Sequence, residues 1–241
     1  MKIDVWSDFV CPFCYIGKRR LEGALEQFAH RNNVEISYKS YELDPNAEEN
    51  PDQNIHEYLA NQKGMSFEQA KSMNESLGEQ AAEVGLTYNF DTMQHTNTFD
   101  AHRVAKYAAV KGKGKEMTER LLKAYFTDSE LISDHKTLVK LSGEVGLDKD
   151  DVTALLKADD YAGDVRADEK EAEQLGVQGV PFFVFNDKYA VSGAQPQEAF
   201  SEVLEKVWEE ENEKPVLQSL NPKKSKTTYC TDEGCEIVEE D

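Results

Sequence analysis

The stretch that decides the fold is Val5-Trp6-Ser7-Asp8-Phe9-Val10-Cys11-Pro12-Phe13-Cys14-Tyr15. An apolar run from Ile3 to Val10 predicts a buried strand, and two cysteines at C-x-x-C spacing follow it. Pro12 fits the first turn of a helix, where its missing N–H costs no hydrogen bond. Apolar residues then recur every three to four positions, which predicts a helix that begins at the motif: Ile16, Leu21, Leu25 and Phe28.

The two cysteines have different surroundings in this arrangement. Cys11 lies at the helix N-cap, where its sulfur faces free backbone N–H groups and the positive end of the helix dipole. Both effects favour the thiolate, so Cys11 is the expected nucleophile. Cys14 lies one turn further along, shielded from solvent and close enough to Cys11 to form a disulfide. The pair therefore predicts a nucleophile and a resolving thiol.

Half of a zinc site and a pair of core cysteines are the alternatives to a redox dithiol. A zinc site needs a second ligand pair at suitable spacing. The chain has four cysteines, and the other two are Cys230 and Cys235, with no histidine near either pair in sequence. The spacing therefore favours the redox dithiol, with no metal and no cofactor.

A second segment lies far downstream, where Gly179-Val180-Pro181-Phe182-Phe183 predicts the start of a strand. Proline has no N–H for the central ladder, so Pro181 is expected at the first position of that strand. The turn-forming residues 186–188 and a second short strand from Tyr189 to Val191 complete a hairpin.

Together with the C-x-x-C, this segment resembles the thioredoxin superfamily. The resemblance implies a cis Val180–Pro181 bond beside Cys11, where the backbone binds an extended substrate. The match is closest to the DsbA-like family, in its FrnE-like branch. The segments that carry it are Ile3 to Cys14, Asn97 to Arg103, Gly179 to Phe183 and Ser192 to Gln195.

The resemblance implies an α/β chain with a thioredoxin fold (β-α-β … α-β-β-α) and a large all-helical insertion. The expected domains are a discontinuous thioredoxin-like part at residues 1–44 and 162–213 and an inserted helical part at 45–161. Residues 214–241 are expected to form a flexible C-terminal tail, because their composition shifts to lysines and terminal acids.

Further site residues follow from the motifs. Pro12, Phe13, Val180 and Pro181 are the expected substrate contacts. His102 lies on a predicted helix that faces the cleft; it either contacts substrate or is a satisfied core histidine.

Cys230 and Cys235 form a C-x4-C extension like that of some FrnE-like proteins, which implies an auxiliary redox pair. Two exposed thiols without a special role are the alternative. The pattern departs from thioredoxin and DsbA at Val5, six residues before the first cysteine, where those proteins have a buried carboxylate. Strand alternation puts Asp4 on the opposite face.

Composition limits the partners. The chain has 241 residues and a formal net charge of -20, which disfavours nucleic acid and anionic membranes as partners. No apolar run approaches the roughly 20 residues of a membrane span. Met1 and Lys2 lead directly into the first strand, so a cytoplasmic location is expected.

The predicted function is a thiol–disulfide oxidoreductase or isomerase that acts on protein disulfides, with a small thiol or a thioredoxin-type protein as its recycling partner. One alternative is a glutathione-dependent isomerase or transferase, similar to hydroxychromene-carboxylate isomerases and kappa-class transferases. Those enzymes usually carry serine where Cys11 stands. A non-catalytic DsbA-like adaptor is the other alternative. Phe13 supplies no positive charge to the thiolate, which weakly disfavours a strongly oxidising potential.

Overall fold

The computed structural model describes residues 1–212, 226–231 and 234–239, which form six strands and nine α-helices. The strands are β1 (Lys2–Ser7), β2 (Glu35–Ser40), β3 (Phe182–Phe185), β4 (Tyr189–Ser192), β5 (Lys226–Thr231) and β6 (Gly234–Glu239). The helices are α1 (Pro12–Gln27), α2 (Ile55–Lys63), α3 (Phe67–Glu83), α4 (Phe99–Val110), α5 (Gly114–Phe126), α6 (His135–Glu144), α7 (Lys149–Lys157), α8 (Ala162–Gln174) and α9 (Gln197–Asn212).

The first four strands form one mixed sheet in the order β2-β1-β3-β4. β1 and β2 are parallel, as the single-helix crossover predicts. β3 is antiparallel to both of its neighbours, and Val5 lies between Tyr38 on β2 and Phe183 on β3. This order, with helices α2 to α7 inserted between β2 and α8, is the predicted thioredoxin fold with a helical insertion.

Alternation along β1 separates the two faces of the sheet. Ile3 and Val5 are buried in a core shared with α1 and α9. Trp6 points to the other face, where it packs with Ala172 of α8 and its indole N–H donates to the Asp168 carbonyl at 2.9 Å. Asp4 shares the alternation of Trp6, so it lies away from Val5 as predicted.

The inserted helices pack in a core that also includes Phe9, Tyr15 and Ile16. α3 begins with a capping box, in which Ser66 and Gln69 each bond the other's backbone N–H. α2 begins with a second one, formed by Asn54 and Glu57. Thr98 is the N-cap of α4, although its side chain makes no capping bond.

Two predicted boundaries differ from the structure. β1 ends at Ser7 rather than Val10, because the Asp8 carbonyl accepts the Cys11 N–H at 3.2 Å and turns the chain into α1. The periodicity predicted for the first helix includes Phe28, but α1 ends at Gln27. The next residue, Phe28, is extended and buried in the core.

The chain divides into two compact units, Met1–Trp208 and Glu209–Asp241. In the second unit, β5 and β6 pair as an antiparallel hairpin where the sequence predicts a flexible tail. Strand-forming residues explain the difference, since Thr227, Thr228 and Tyr229 lie opposite Val238, Ile237 and Glu236. Residues 213–225, which contain the predicted boundary between the thioredoxin-like part and the tail, lie outside the described residues. Over the described ranges, no helix combines the length and apolar character that crossing a membrane requires.

Candidate active site

Cys11 occupies the N-cap of α1, as the sequence predicts. Its backbone is extended (φ -89°, ψ 111°), Pro12 begins the helix, and the Cys11 carbonyl accepts the Cys14 N–H at 3.0 Å. The Cys11 side chain caps none of the helix N–H groups. Its thiol instead donates to the Val180 carbonyl oxygen, with the sulfur 3.5 Å away. The nucleophile candidate therefore lies against the segment that precedes β3.

The Val180–Pro181 peptide bond is cis, as the resemblance implies. Pro181 is buried, and its carbonyl accepts the Gly193 N–H at 2.8 Å, which holds it at the start of the hairpin. Gly17 of α1 makes this approach possible, because a Cβ there would lie 3.1 Å from Pro181 Cγ and 3.2 Å from the Phe183 ring. Sequence reasoning missed Gly17, although a glycine inside an amphipathic helix is a signal of close packing.

Cys14 is a buried free thiol, 3 % exposed, one turn behind Cys11. Burial raises the pKa of Cys14 well above its usual value, and the hydrogen bond and charge of Cys11 raise it further. Hydrogen bonds from the Asp8 amide and the Ser7 side chain act in the opposite direction. Cys14 is therefore held as a buried thiol, which suits a resolving role.

Asp8 is the buried carboxylate of this region. It is fully shielded from solvent, and its Oδ2 accepts the Leu43 N–H at 2.8 Å. Its Oδ1 lies 3.4 Å from Nε2 of His102, whose ring lies on Phe9 with centroids 4.6 Å apart. Val5 is a core residue and carries no carboxylate, unlike the corresponding position in thioredoxin and DsbA. The buried carboxylate near the motif is that of Asp8.

His102 is only 2 % exposed, so it lies behind the C-x-x-C surface rather than on it. A direct contact of His102 with substrate stays a prediction.

The exposed side of the motif is aromatic. Phe13 is 42 % exposed, one of few large apolar side chains that face solvent in the described part of the chain. Tyr88, from the loop after α3, donates its hydroxyl to the Pro12 carbonyl at 2.8 Å, and its ring stacks on Phe126 of α5. Burial raises the pKa of Tyr88, so its hydroxyl stays a donor. Tyr88 is a second site residue that sequence reasoning missed.

A charged cluster fastens α1 to α5 behind Cys14. Glu119 of α5 accepts hydrogen bonds from the Tyr15 hydroxyl at 2.6 Å, from Lys18 at 2.5 Å and from Arg19. Burial acts to raise the pKa of Glu119, but the bond from Arg19, with Lys18 and Tyr15, lowers it to about 2. The helix that carries both cysteines is thereby fixed to the inserted helices.

Two further histidines lie away from the motif. His95 stacks on Tyr58, and Asp91 lies 3.2 Å from His56. Among the described residues, no three histidine, cysteine, aspartate or glutamate side chains are grouped to hold a metal ion. Cys230 lies opposite Cys235 in the backbone register of the β5–β6 hairpin.

The chain is similar in sequence and in structure to known proteins. The family model described as the DSBA-like thioredoxin domain matches residues 2–205. The uncharacterized protein YwbO of Bacillus subtilis is 29 % identical over 204 residues, which are 84 % of this chain and 94 % of YwbO. The crystal structure of a probable DsbA oxidoreductase from Streptomyces coelicolor is 39 % identical and superposes with a TM-score of 0.84 over 99 % of both chains.

A more distant structure, a 2-hydroxychromene-2-carboxylate isomerase, is 14 % identical. It superposes with a TM-score of 0.66 over 88 % of this chain and 98 % of its own. At that identity the likeness concerns the fold alone.

Proposed function

Because the chain belongs to the DSBA-like thioredoxin domain family, we propose that it is a thiol–disulfide oxidoreductase or isomerase that acts on protein disulfides. The observation that carries the proposal is the Cys11 thiol, at the start of α1 and 3.5 Å from the Val180 carbonyl. The helix terminus stabilises a thiolate, and the segment before β3 offers backbone to an extended substrate.

The reaction consists of two exchanges. The Cys11 thiolate attacks one sulfur of a substrate disulfide, forming a mixed disulfide and releasing the other sulfur as a thiolate. The Cys14 thiolate then attacks Cys11 Sγ, which releases the second substrate sulfur and leaves a Cys11–Cys14 disulfide. The substrate gains two electrons and the enzyme loses two. A small thiol or a thioredoxin-type dithiol returns the enzyme to its starting state.

Substrate binding is assigned to the surface around Cys11. Phe13 is exposed and Val180 is half-buried beside the nucleophile, so both are available to a client chain. Pro12 contacts the client between them. Pro181 is buried and acts by holding the Val180 carbonyl in place.

The cysteine variants test the assignment. Cys11→Ser is expected to abolish disulfide exchange with a model protein disulfide, because no other described thiol occupies a helix N-cap. Cys14→Ser is expected to accumulate a mixed disulfide on Cys11, visible by non-reducing electrophoresis. Turnover at the wild-type rate in Cys11→Ser sinks the proposal.

The reduction potential of Cys11–Cys14 decides the direction of electron flow. Equilibration in glutathione buffers is expected to give a value near the cytosolic poise of roughly -220 to -320 mV, as for a reductase. A value of about -120 to -180 mV points to an oxidant or isomerase. A cytoplasmic location stays a prediction, and cell fractionation tests it.

A glutathione-dependent isomerase or transferase is the second candidate, since a 2-hydroxychromene-2-carboxylate isomerase shares this fold. Saturable glutathione conjugation that persists in a Cys11→Ser, Cys14→Ser double variant favours it. Full function of that variant in cells favours an adaptor instead.

The auxiliary role of Cys230 and Cys235 is also a proposal. Their opposite positions in the hairpin register support pairing with each other. If they exchange with Cys11–Cys14, a Cys230→Ser, Cys235→Ser variant recycles more slowly while its first exchange with substrate is unchanged. Equal recycling rates contradict the exchange.

A further inference from the structure

A cavity of about 660 Å³ lies along the free edge of β2 and is walled by α4 and α5. Some residues that line the cavity, such as Lys115, are exposed to solvent, and others are buried at its inner end. Ser7 and His102 belong to that inner end, being 7 % and 2 % exposed. The two exchange steps described above use neither of these residues.

Cys14 needs a way to lose its proton before the second exchange. Its side chain is 3 % exposed, and in the mixed disulfide the substrate occupies the Cys11 side of the motif. The Ser7 side chain lies close enough to the Cys14 sulfur to lower the pKa of that thiol, and Ser7 also lines the cavity. Ser7 therefore connects the buried thiol with the cavity behind the motif.

His102 faces the same cavity. Its Nε2 lies 3.4 Å from Asp8 Oδ1, which fixes the ring, while Phe9 supports one face of the imidazole. The volume leaves room for several water molecules, each of which occupies about 30 Å³ in the liquid. A polar path from Ser7 to His102 through this space is physically available.

We propose that this cavity is the exit for the Cys14 proton, with the Ser7 hydroxyl as the first carrier and His102, held by Asp8, as the acceptor. The inference rests on the proposed thiol–disulfide exchange. The thiol proton passes to the Ser7 oxygen as the hydroxyl proton leaves through water to His102. A lone pair of the deprotonated Cys14 sulfur forms the bond to Cys11 Sγ. The bond between Cys11 and the substrate sulfur breaks, and its electron pair leaves with the substrate as a thiolate.

Charged groups from each neighbouring element face this path. Asp8 and Glu42 face His102 from the ends of β1 and β2, and Glu42 is paired with Arg166 of α8. Lys39 of β2 and Lys106 of α4 border the cavity, but both are bound to Asp168 of α8. Cys11, the N-cap of α1, is the titratable neighbour of Cys14, and it is uncharged while it is joined to substrate in the mixed disulfide. A proton that reaches His102 therefore meets the Asp8 carboxylate, whose Oδ1 lies 3.4 Å from Nε2.

Two successive releases from 5,5′-dithiobis(2-nitrobenzoate) separate the steps, in a Cys230→Ser, Cys235→Ser background. Attack by Cys11 releases one thionitrobenzoate, and attack by Cys14 on the resulting mixed disulfide releases the second. The first release tests the proposed function and the second tests the proton route. Stopped-flow absorbance resolves both releases as a function of pH.

Ser7→Ala is expected to slow the second release about tenfold at neutral pH, the factor of one pKa unit, and to move its inflection to higher pH. Ser7→Thr keeps a hydroxyl and is expected to restore most of the rate. His102→Gln is expected to slow the second release without changing the first. A second release at the wild-type rate and pH profile in both Ser7→Ala and His102→Gln overturns the route.

A cavity-filling variant tests the route without touching Ser7 or His102. Ala105 lines the cavity on α4, so Ala105→Leu is expected to slow only the second release. Ala82→Leu, at an exposed position of α3, is the control and is expected to leave both releases unchanged. Equal second-release rates in Ala105→Leu and the control contradict the role of the cavity. Circular dichroism establishes that each variant is folded.

Discussion

Cys11 and Cys14 are the same residue three positions apart, and their surroundings give them different chemistry. Cys11 meets the helix terminus and the Val180 carbonyl. Cys14 meets a buried environment that keeps it protonated. This difference fixes the order of events, because Cys14 becomes a better nucleophile once the mixed disulfide removes the charge on Cys11.

Tyr88 allows a test at a single hydroxyl. Tyr88→Phe removes the bond to the Pro12 carbonyl, which is expected to lower stability by about 1 kcal/mol and also to slow turnover, because the C-x-x-C turn loses its support. Denaturant unfolding and disulfide-exchange kinetics measure the two effects.

Tyr107→Phe is the matched control for Tyr88→Phe. It also removes a phenol hydrogen bond, here to Asp151 at 2.7 Å, in a different part of the helical insertion. A similar loss of stability with unchanged turnover is expected. If both variants slow turnover equally, the Tyr88 bond has no specific role at the site.

At the scale of elements, the contact between α1 and the Pro181 segment depends on the absence of a side chain at position 17. Gly17→Val places a branched side chain where even a Cβ lies 3.1 Å from Pro181 Cγ. Overpacking is expected to cost about 1–3 kcal/mol and to displace Val180 from Cys11, so activity falls together with thermal stability.

Gly163→Ala is the control for a glycine within a helix. A Cβ at Gly163 meets nothing within 4 Å, so alanine is expected to stabilise α8 by up to about 1 kcal/mol with activity unchanged. Differential scanning calorimetry measures the stability of both variants, and a disulfide-exchange assay measures their activity. A Gly17→Val protein as stable and active as wild type contradicts the tight contact.

The junction of α1 and α5 has a definite pH dependence. The pKa of Glu119 is about 2 when folded and about 4.3 when unfolded, so its contribution is present above the unfolded value and is lost as pH falls towards 2. Glu119→Gln is expected to cost about 1–2 kcal/mol at pH 7, after allowance for solvent screening, and about half as much at pH 3.

Urea unfolding at both pH values measures the loss in Glu119→Gln. Glu116 lies on the same helix but is exposed, so Glu116→Gln is expected to have the smaller effect at pH 7. An equal loss for Glu119→Gln at pH 7 and pH 3 contradicts the assigned charge state.

At the scale of the whole molecule, the net charge of -20 selects among clients. Raising the ionic strength from about 0.01 M to 0.5 M is expected to slow exchange with a lysine-rich disulfide peptide about tenfold, because screening removes long-range attraction. Exchange with the neutral 2-hydroxyethyl disulfide is expected to change less than about twofold. The same salt effect on both substrates indicates that charge does not guide association.

The sequence is sufficient for the architecture because its signals are local. Periodicity places the helices, C-x-x-C at a strand–helix junction places Cys11, and Gly-Val-Pro places the hairpin. The support of the site is not local. Gly17 and Tyr88 matter through contacts with Pro181 and the Pro12 carbonyl, which lie 164 and 76 positions away in the chain. No period or spacing reports such contacts.

The end of β1 and the C-terminal hairpin were missed for related reasons. A backbone bond from Cys11 to the Asp8 carbonyl ends the strand inside an apolar run that has the pattern of a longer strand. In the second unit, the many lysines and acids led to the prediction of a flexible tail, although the segment also contains a short run of strand-forming residues. Local composition describes a segment on average, whereas strand pairing depends on which residues lie opposite each other.

The pairing of β1 with β3 has a consequence for how the protein is made. Cys14 leaves the ribosome long before Val180, and at about 5–20 residues per second the 166 positions between them take roughly 8–33 seconds to synthesise. During that interval both thiols belong to a nascent chain in which Val180 and Pro181 are not yet present to cover Cys11. Newly synthesised protein is therefore open to oxidants and unselected partners at the motif that the finished protein shields.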